Sequence, residues 1–232
     1  MDSIVLGIGW YAIFLVSLTF HEAAHAFAAA RLGDRTAYYY GQVTLDPLPH
    51  IRREPFGMVV IPIISFLLSG WMIGWASTPY DPQWAQTSRR KAALMSLAGP
   101  AANLVLVLVA VFVIRMGVSA GWFEVPGVIS FDHVTAAAST GPKNALAILV
   151  SIMFSLNLIL LVFNLIPLPP LDGSNVLLLF LNEQAAQKYR NFLYQPTNSL
   201  IGLIIAWQVF DVLFGYVHSF AINMLYPGFS YH

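Results

Sequence analysis

Cysteine is absent from all 232 residues. Its absence excludes disulfides, iron–sulfur clusters and thiolate zinc sites, so any metal must be held by His, Asp or Glu. Charge is almost as scarce. Lys, Arg, Asp and Glu make up 9% of the chain and cancel to a formal net charge of zero. With no long basic run there is no surface for nucleic acid, and functional charge has to be local. The stretch Met1 to Phe20 is apolar without a single Lys or Arg, which argues against a secretory signal and for a retained membrane span. No internal repeat or low-complexity tract is present. What the chain does have is apolar side chain: 58% of residues are hydrophobic and the mean hydropathy is +0.69. Such a composition belongs to an integral membrane protein, expected to form one membrane-embedded domain over residues 1–232.

The apolar runs predict an all-α polytopic membrane fold with full spans at 4–31, 92–115, 144–166 and 199–225. A fifth run, 56–78, is broken by Pro62, Gly70 and Gly74. Between the first two lies 38–55, where Tyr38, Tyr40, Val43 and Leu45 alternate as in short strands. Asn182 to Tyr194 reads as a surface helix with Lys188 and Arg190 at the headgroups. Whether 56–78 crosses decides the topology. If it does, Arg31, Arg35, Arg52, Arg53, Arg115 and Lys143 face Arg89, Arg90, Lys91, Lys188 and Arg190, a split of 6 to 5 that orients nothing. If it re-enters, only Arg115 and Lys143 lie on the far side and the split becomes 9 to 2, an ordinary positive-inside bias. A re-entrant 56–78 is therefore expected.

Inside the first span stands His21-Glu22-Ala23-Ala24-His25. Ionisable groups at such depth demand a functional reason. From 6 His and 4 Glu, random order yields roughly 0.003 matches to H-E-x-x-H in a chain of this length. On a helix His21 and His25 share one face and can bind one ion, while Glu22 stands beside the open position. A hydrolytic zinc takes three protein ligands and keeps a fourth position for water. Asp172, Asp46, His50, Asp34 and Glu54 are the candidates for the third. Asp172 is preferred, because a carboxylate between LPPL and a glycine at the end of an apolar span is otherwise costly to place; its alternative is a cap on the following helix. His133, His218 and His232 have no partner at metal spacing. The string SLAGPAAN, with Gly99, is expected to let helices pack closely beside the site.

Taken together, HEAAHAFAAARLGD, GQVTLDPLPHI, SLAGPAAN and FNLIPLPPLDGSNVL resemble the site-2 protease family of intramembrane zinc metalloproteases. The resemblance covers most of the chain. It implies that His21, His25 and Asp172 bind Zn2+ and that Glu22 is the catalytic acid/base. Asn164 matches the asparagine of the N-x-x-P-x-P-x-x-D-G pattern, and it and Asn103 are candidates for substrate binding or oxyanion stabilisation. Arg52-Arg53 stand where relatives commonly carry a small acidic motif, and no PDZ-like insertion is present. The implied function is proteolysis of a membrane-spanning protein within the lipid bilayer. The implied location is the cell (plasma) membrane, with the site nearer the cytoplasmic face. The competing readings are a metal ion transporter or channel, and an inactive relative that binds membrane clients.

Overall fold

An apolar run in lipid must pair each of its backbone N–H and C=O groups within itself, which leaves the helix as its stable form. The computed structural model describes residues 3–193 and 195–229; Tyr194 and His232 lie outside the described residues. Its long helices are α1 (Ser3–Leu32), α6 (Arg89–Ser119), α7 (Pro142–Asn164) and α10 (Pro196–Leu225). All four are long and apolar enough to cross a membrane, and their ends lie within a few residues of the expected ones. The surface helix is α9 (Glu183–Leu193).

Polar contacts fix how the long helices run. His21 meets Asn103 and His25 meets Met95, so α1 and α6 are antiparallel. Ser17 meets Asn157, and a Cβ on Gly9 would lie 3.0 Å from Leu149, so α1 and α7 are parallel. The near end of the bundle therefore carries the last turns of α1 and α7 and the first turn of α6. At the opposite, far end, Arg115 donates to the carbonyl of Leu225 at 2.9 Å, which brings the last turn of α10 beside that of α6. Among the described residues three apolar clusters hold the bundle, the smallest joining Ile166 and Leu171 to Ala206 of α10. Another packs Ala110, Ile114, Phe154 and Phe214 towards the far end; the third packs Trp10, Phe14, Met58 and Ile152 between α1, α7 and the broken segment.

The strand expected over 38–55 is not formed. Thr36–Tyr39 is a helical turn, α2, and Pro47–Arg53 is helix α3. Local capping overrides the alternation of tyrosines: Asp34 accepts from the N–H and hydroxyl of Thr36 at 2.9 and 2.6 Å, and Asp46 accepts from the Leu48 N–H with Pro47 in the first turn of α3. The two-stranded sheet lies elsewhere, in the α6–α7 connection, with β1 (Phe123–Glu124) pairing antiparallel to β2 (Ala136–Ala137).

The broken segment folds as a hairpin. A π-helical turn, Phe56–Val60, runs into α4 (Ile61–Ser69), and Phe66 reaches Gly7 near the start of α1, where a Cβ would lie 2.8 Å from its ring. Gly70, at φ 78°, turns the chain. Residues 71–81 return without regular structure. On the way Trp75 donates its N–H to the Gly57 carbonyl at 3.2 Å, and a Cβ on Gly74 would meet that same oxygen at 2.2 Å, so only glycine allows the two arms to pass. The returning arm ends at the near end, where Asp81 donates its N–H to Asp34 at 2.8 Å and α5 (Pro82–Thr87) leads into α6.

Candidate active site

Helix α1 places His21 and His25 one turn apart on the face turned to α6, both about 95% buried. Their ring planes stand at 86° to each other, and their Nε2 atoms are 3.0 Å apart. The third arm comes from a distant part of the chain. After α7 the run Leu165 to Leu171 turns back into α8 (Asp172–Leu177), with Gly173 lying so close to the Leu165 carbonyl that a Cβ would meet it at 2.3 Å. This places Asp172 Oδ2 3.2 Å from His21 Nε2 and 3.3 Å from His25 Nε2. Two ligands at about 2.05 Å on one tetrahedral zinc are about 3.3 Å apart. The three atoms therefore have the spacing of one face of a tetrahedral site, and the donor set of two imidazoles and a carboxylate fits zinc.

The outer nitrogens of both rings are held. His25 Nδ1 lies 2.8 Å from the carbonyl of Met95. A carbonyl oxygen only accepts, so that nitrogen carries a proton and Nε2 is the atom turned to His21 and Asp172. His21 Nδ1 lies 2.6 Å from Asn103 Oδ1. Between these two contacts, Gly99 faces the rings. A Cβ there would lie 2.4 Å from His25 Nε2 and 2.6 Å from His21 Cε1, so α6 can approach this closely only with glycine at 99. The close packing expected of SLAGPAAN is thus packing onto the histidines themselves.

Glu22 is buried and its carboxylate lies within 4.8 Å of the ligand atoms of both histidines. Asp172 is nearer to them, and Glu22 is instead engaged by the returning arm of the hairpin, where the Thr78 hydroxyl lies 2.7 Å from Oε2 and 3.0 Å from the Glu22 carbonyl. The other carboxylates and imidazole considered for the third position are occupied locally. Asp46 caps α3, Glu54 accepts from Ser77, and Asp34 ties Thr36 and Asp81. His50 is buried and directs Nε2 to the Thr44 carbonyl at 3.1 Å.

The two asparagines named from the sequence part company. Asn164 bonds back to the Leu160 carbonyl of its own helix at the end of α7. Asn103 is fully buried behind His21, and both its polar atoms are used, Oδ1 by His21 and Nδ2 by Asn157 at 2.9 Å. The contact Asn103 makes in the structure is thus with the histidine, whose ring it holds from behind. Sequence reasoning missed Thr78, Asn157 and Ser17. Asn157 carried the same signal as Asn103, a strongly polar side chain inside a span; Thr78 carried none. A cavity of about 200 Å³ opens beside the site at the near end, with Met95, Ser96, Ser174 and Asn175 on its wall.

The sequence profile of peptidase family M50 matches residues 10–209. YwhC of Bacillus subtilis, named as a candidate zinc metalloprotease, is 37% identical over 164 residues, 70% of this chain and 64% of its own. Rip2 of Mycobacterium tuberculosis, named in the same way, is 33% identical over 165 residues, 71% of this chain and 52% of its own. Rip2 of Mycolicibacterium smegmatis is 32% identical over 176 residues, 76% of this chain and 57% of its own. The chain thus spans about half to two-thirds of the length of these relatives. No solved structure matches it. The family match takes in His21, Glu22, His25 and Asp172 together with the helices that bring them within reach of one ion, and the chain belongs to peptidase family M50, the site-2 protease family.

Proposed function

We propose that the chain is a zinc-dependent intramembrane endopeptidase that cleaves a membrane-spanning protein. One observation carries the reading: His21 Nε2, His25 Nε2 and Asp172 Oδ2 lie 3.0–3.3 Å from one another inside a bundle of apolar helices, with the Glu22 carboxylate alongside. When bound, zinc supplies a Lewis acid and lowers the pKa of a bound water towards neutrality. Glu22, beside the ligands, would accept a proton from the attacking water and return it to the leaving amine, acting first as general base and then as general acid. Thr78 donates to the Glu22 carboxylate and fixes where its free oxygen points. Hydrolysis within lipid requires a path for water, and our candidate for its entrance is the near-end cavity walled by Met95, Ser96, Ser174 and Asn175.

A substrate helix hides its scissile carbonyls in i→i−4 bonds, so it has to unwind before attack. Residues 56–78 are on this reading the re-entrant segment, entering and leaving at the near end. That end faces the cytoplasm of a cell membrane, because it gathers nine of the eleven Lys and Arg side chains. A reporter fused after Asp81 tests this topology, and an external location would overturn it. A metal transit site, the competing reading, has no use for a carboxylate held off the ligand set by its own hydroxyl donor.

The test of the activity uses purified protein and a model transmembrane substrate, with and without a strong zinc chelator. Cleavage is expected to stop with chelator and in Glu22→Gln. Persistent cleavage by Glu22→Gln would overturn the mechanism.

A further inference from the structure

Behind His21 runs a polar chain that the ligand set does not explain. Ser17, Asn103 and Asn157, on α1, α6 and α7, are all fully buried. The direction of every hydrogen bond among them follows from two backbone carbonyls. The Ser17 hydroxyl donates to the Ile13 carbonyl at 2.7 Å, so towards Asn157 its oxygen acts as acceptor. The Met153 carbonyl, 2.8 Å from the Asn157 side chain, also only accepts. Both face the same amide atom of Asn157, which must therefore be the NH2 group. Asn157 Oδ1 is left pointing at Asn103, 2.9 Å away, where it requires a donor. Asn103 accordingly turns its Nδ2 to Asn157 and its Oδ1 to His21. An acceptor 2.6 Å from His21 Nδ1 requires a proton on that nitrogen, so Nε2, turned to His25 and Asp172, is the atom whose lone pair a bound ion would take.

We propose that Asn157 is a positioning residue for the metal centre: through Asn103 it fixes the tautomer and the ring orientation of His21. The inference rests on the metal-site reading above. A ring free to flip would present Nδ1 or a protonated Nε2 to the ion for part of the time. Asn103 alone cannot prevent this, because its amide can rotate to offer either an acceptor or a donor. Asn157 removes that freedom, since its own amide is pinned by two acceptors. Its contribution needs no contact with zinc or substrate. Outer partners of this kind typically govern metal affinity by about 10- to 100-fold.

The test uses the full chain labelled with ¹⁵N-histidine, studied with and without zinc by ¹H–¹⁵N spectra and, for affinity, by chelator competition. The wild type is expected to show a protected His21 Nδ1–H resonance in both states. Because the metal-free spectrum reads the network directly, failure of the network and failure of zinc binding are distinguishable. Asn157→Leu is expected to lose that resonance's protection and to bind zinc about 10- to 100-fold more weakly. Asn157→Asp is expected to rescue: a buried carboxyl held neutral by desolvation still donates to Met153 and accepts from Asn103. A proton on Nε2 rather than Nδ1 in the wild type would overturn the proposal. So would an Asn157→Leu protein with unchanged resonance and affinity, or Asn157→Asp as impaired as Asn157→Leu, which would make the role one of packing alone.

Discussion

Gly99→Ala adds one methyl group to the helix that faces the histidines, and its effect follows from distances. The new Cβ would lie 2.4 and 2.5 Å from His25 Nε2 and Cε1 and 2.6 Å from His21 Cε1. Non-bonded heavy atoms rest about 3.5–4.0 Å apart, so each ring has to retreat by about 1 Å. Neither is free to do so. Met95 and Asn103, on the same helix as the methyl, hold the outer nitrogens at 2.8 and 2.6 Å. Moving α6 away would relieve the clash only by pulling both anchors off. Metal–ligand distances tolerate about 0.2 Å, so a 1 Å shift leaves the three donors unable to share an ion. Zinc affinity is expected to fall more than about 100-fold, with cleavage lost in parallel. Overpacking costs about 1–3 kcal/mol, small enough for folded protein to be recovered and its zinc measured by chelator competition. Gly215→Ala in α10 is the control, since a Cβ there meets nothing within 4 Å. Wild-type zinc stoichiometry and affinity in Gly99→Ala would refute the reasoning.

Thr78→Val keeps the volume of the side chain and removes the donor to Glu22. It is expected to lower kcat by about tenfold or more through misplacement of the base while zinc affinity stays unchanged, and a parallel loss of zinc would count against it. Asp34 makes a pH-dependent contribution. Burial opposes its ionisation, but the Thr36 hydroxyl and the N–H groups of Thr36 and Asp81 outweigh burial and hold its pKa below the ordinary 3.8. Its ionised form therefore stabilises the fold fully at pH values above 3.8, and that stability is lost as pH falls through the lowered folded value. Asp34→Asn is expected to flatten this acid limb, read as resistance of residues 75–81 to limited proteolysis against pH; an unchanged limb would exclude Asp34 as its source.

What could be read from the residues divides along a physical line. The four long helices were legible because apolar length alone decides them in lipid. HEAAH was legible because its spacing lies within one helix. Asp172, far away in the chain, emerged only as the preferred member of several candidates, and the structure places it by a turn in the PLPPLDG run and a glycine at 173 that admits the Leu165 carbonyl. The strand expected over 38–55 failed because side-chain capping by Asp34 and Asp46 outweighed a two-residue alternation. The Met95 carbonyl could not have been found by any residue-type argument, since the group that binds His25 is backbone.

The spacing along α6 ties these observations together. Met95, Gly99 and Asn103 stand at i, i+4 and i+8, one stripe of a single helix. The antiparallel crossing sets that stripe against His25 and His21 in turn. Each position does what its neighbours cannot. At 95 a backbone carbonyl accepts the Nδ1–H of His25; at 99 the missing side chain lets the two rings stand against the helix; at 103 an amide oxygen accepts the Nδ1–H of His21. Proline at 100 fits the same scheme. It lacks the N–H that would bond the carbonyl of residue 96, the residue next to the Met95 carbonyl that turns to a histidine. Helix α1 thus carries the ligands, but α6 determines that both imidazoles turn their Nε2 atoms to the same point. A H-E-x-x-H helix in a bundle without this stripe would hold the same residues and lack a preorganised metal site.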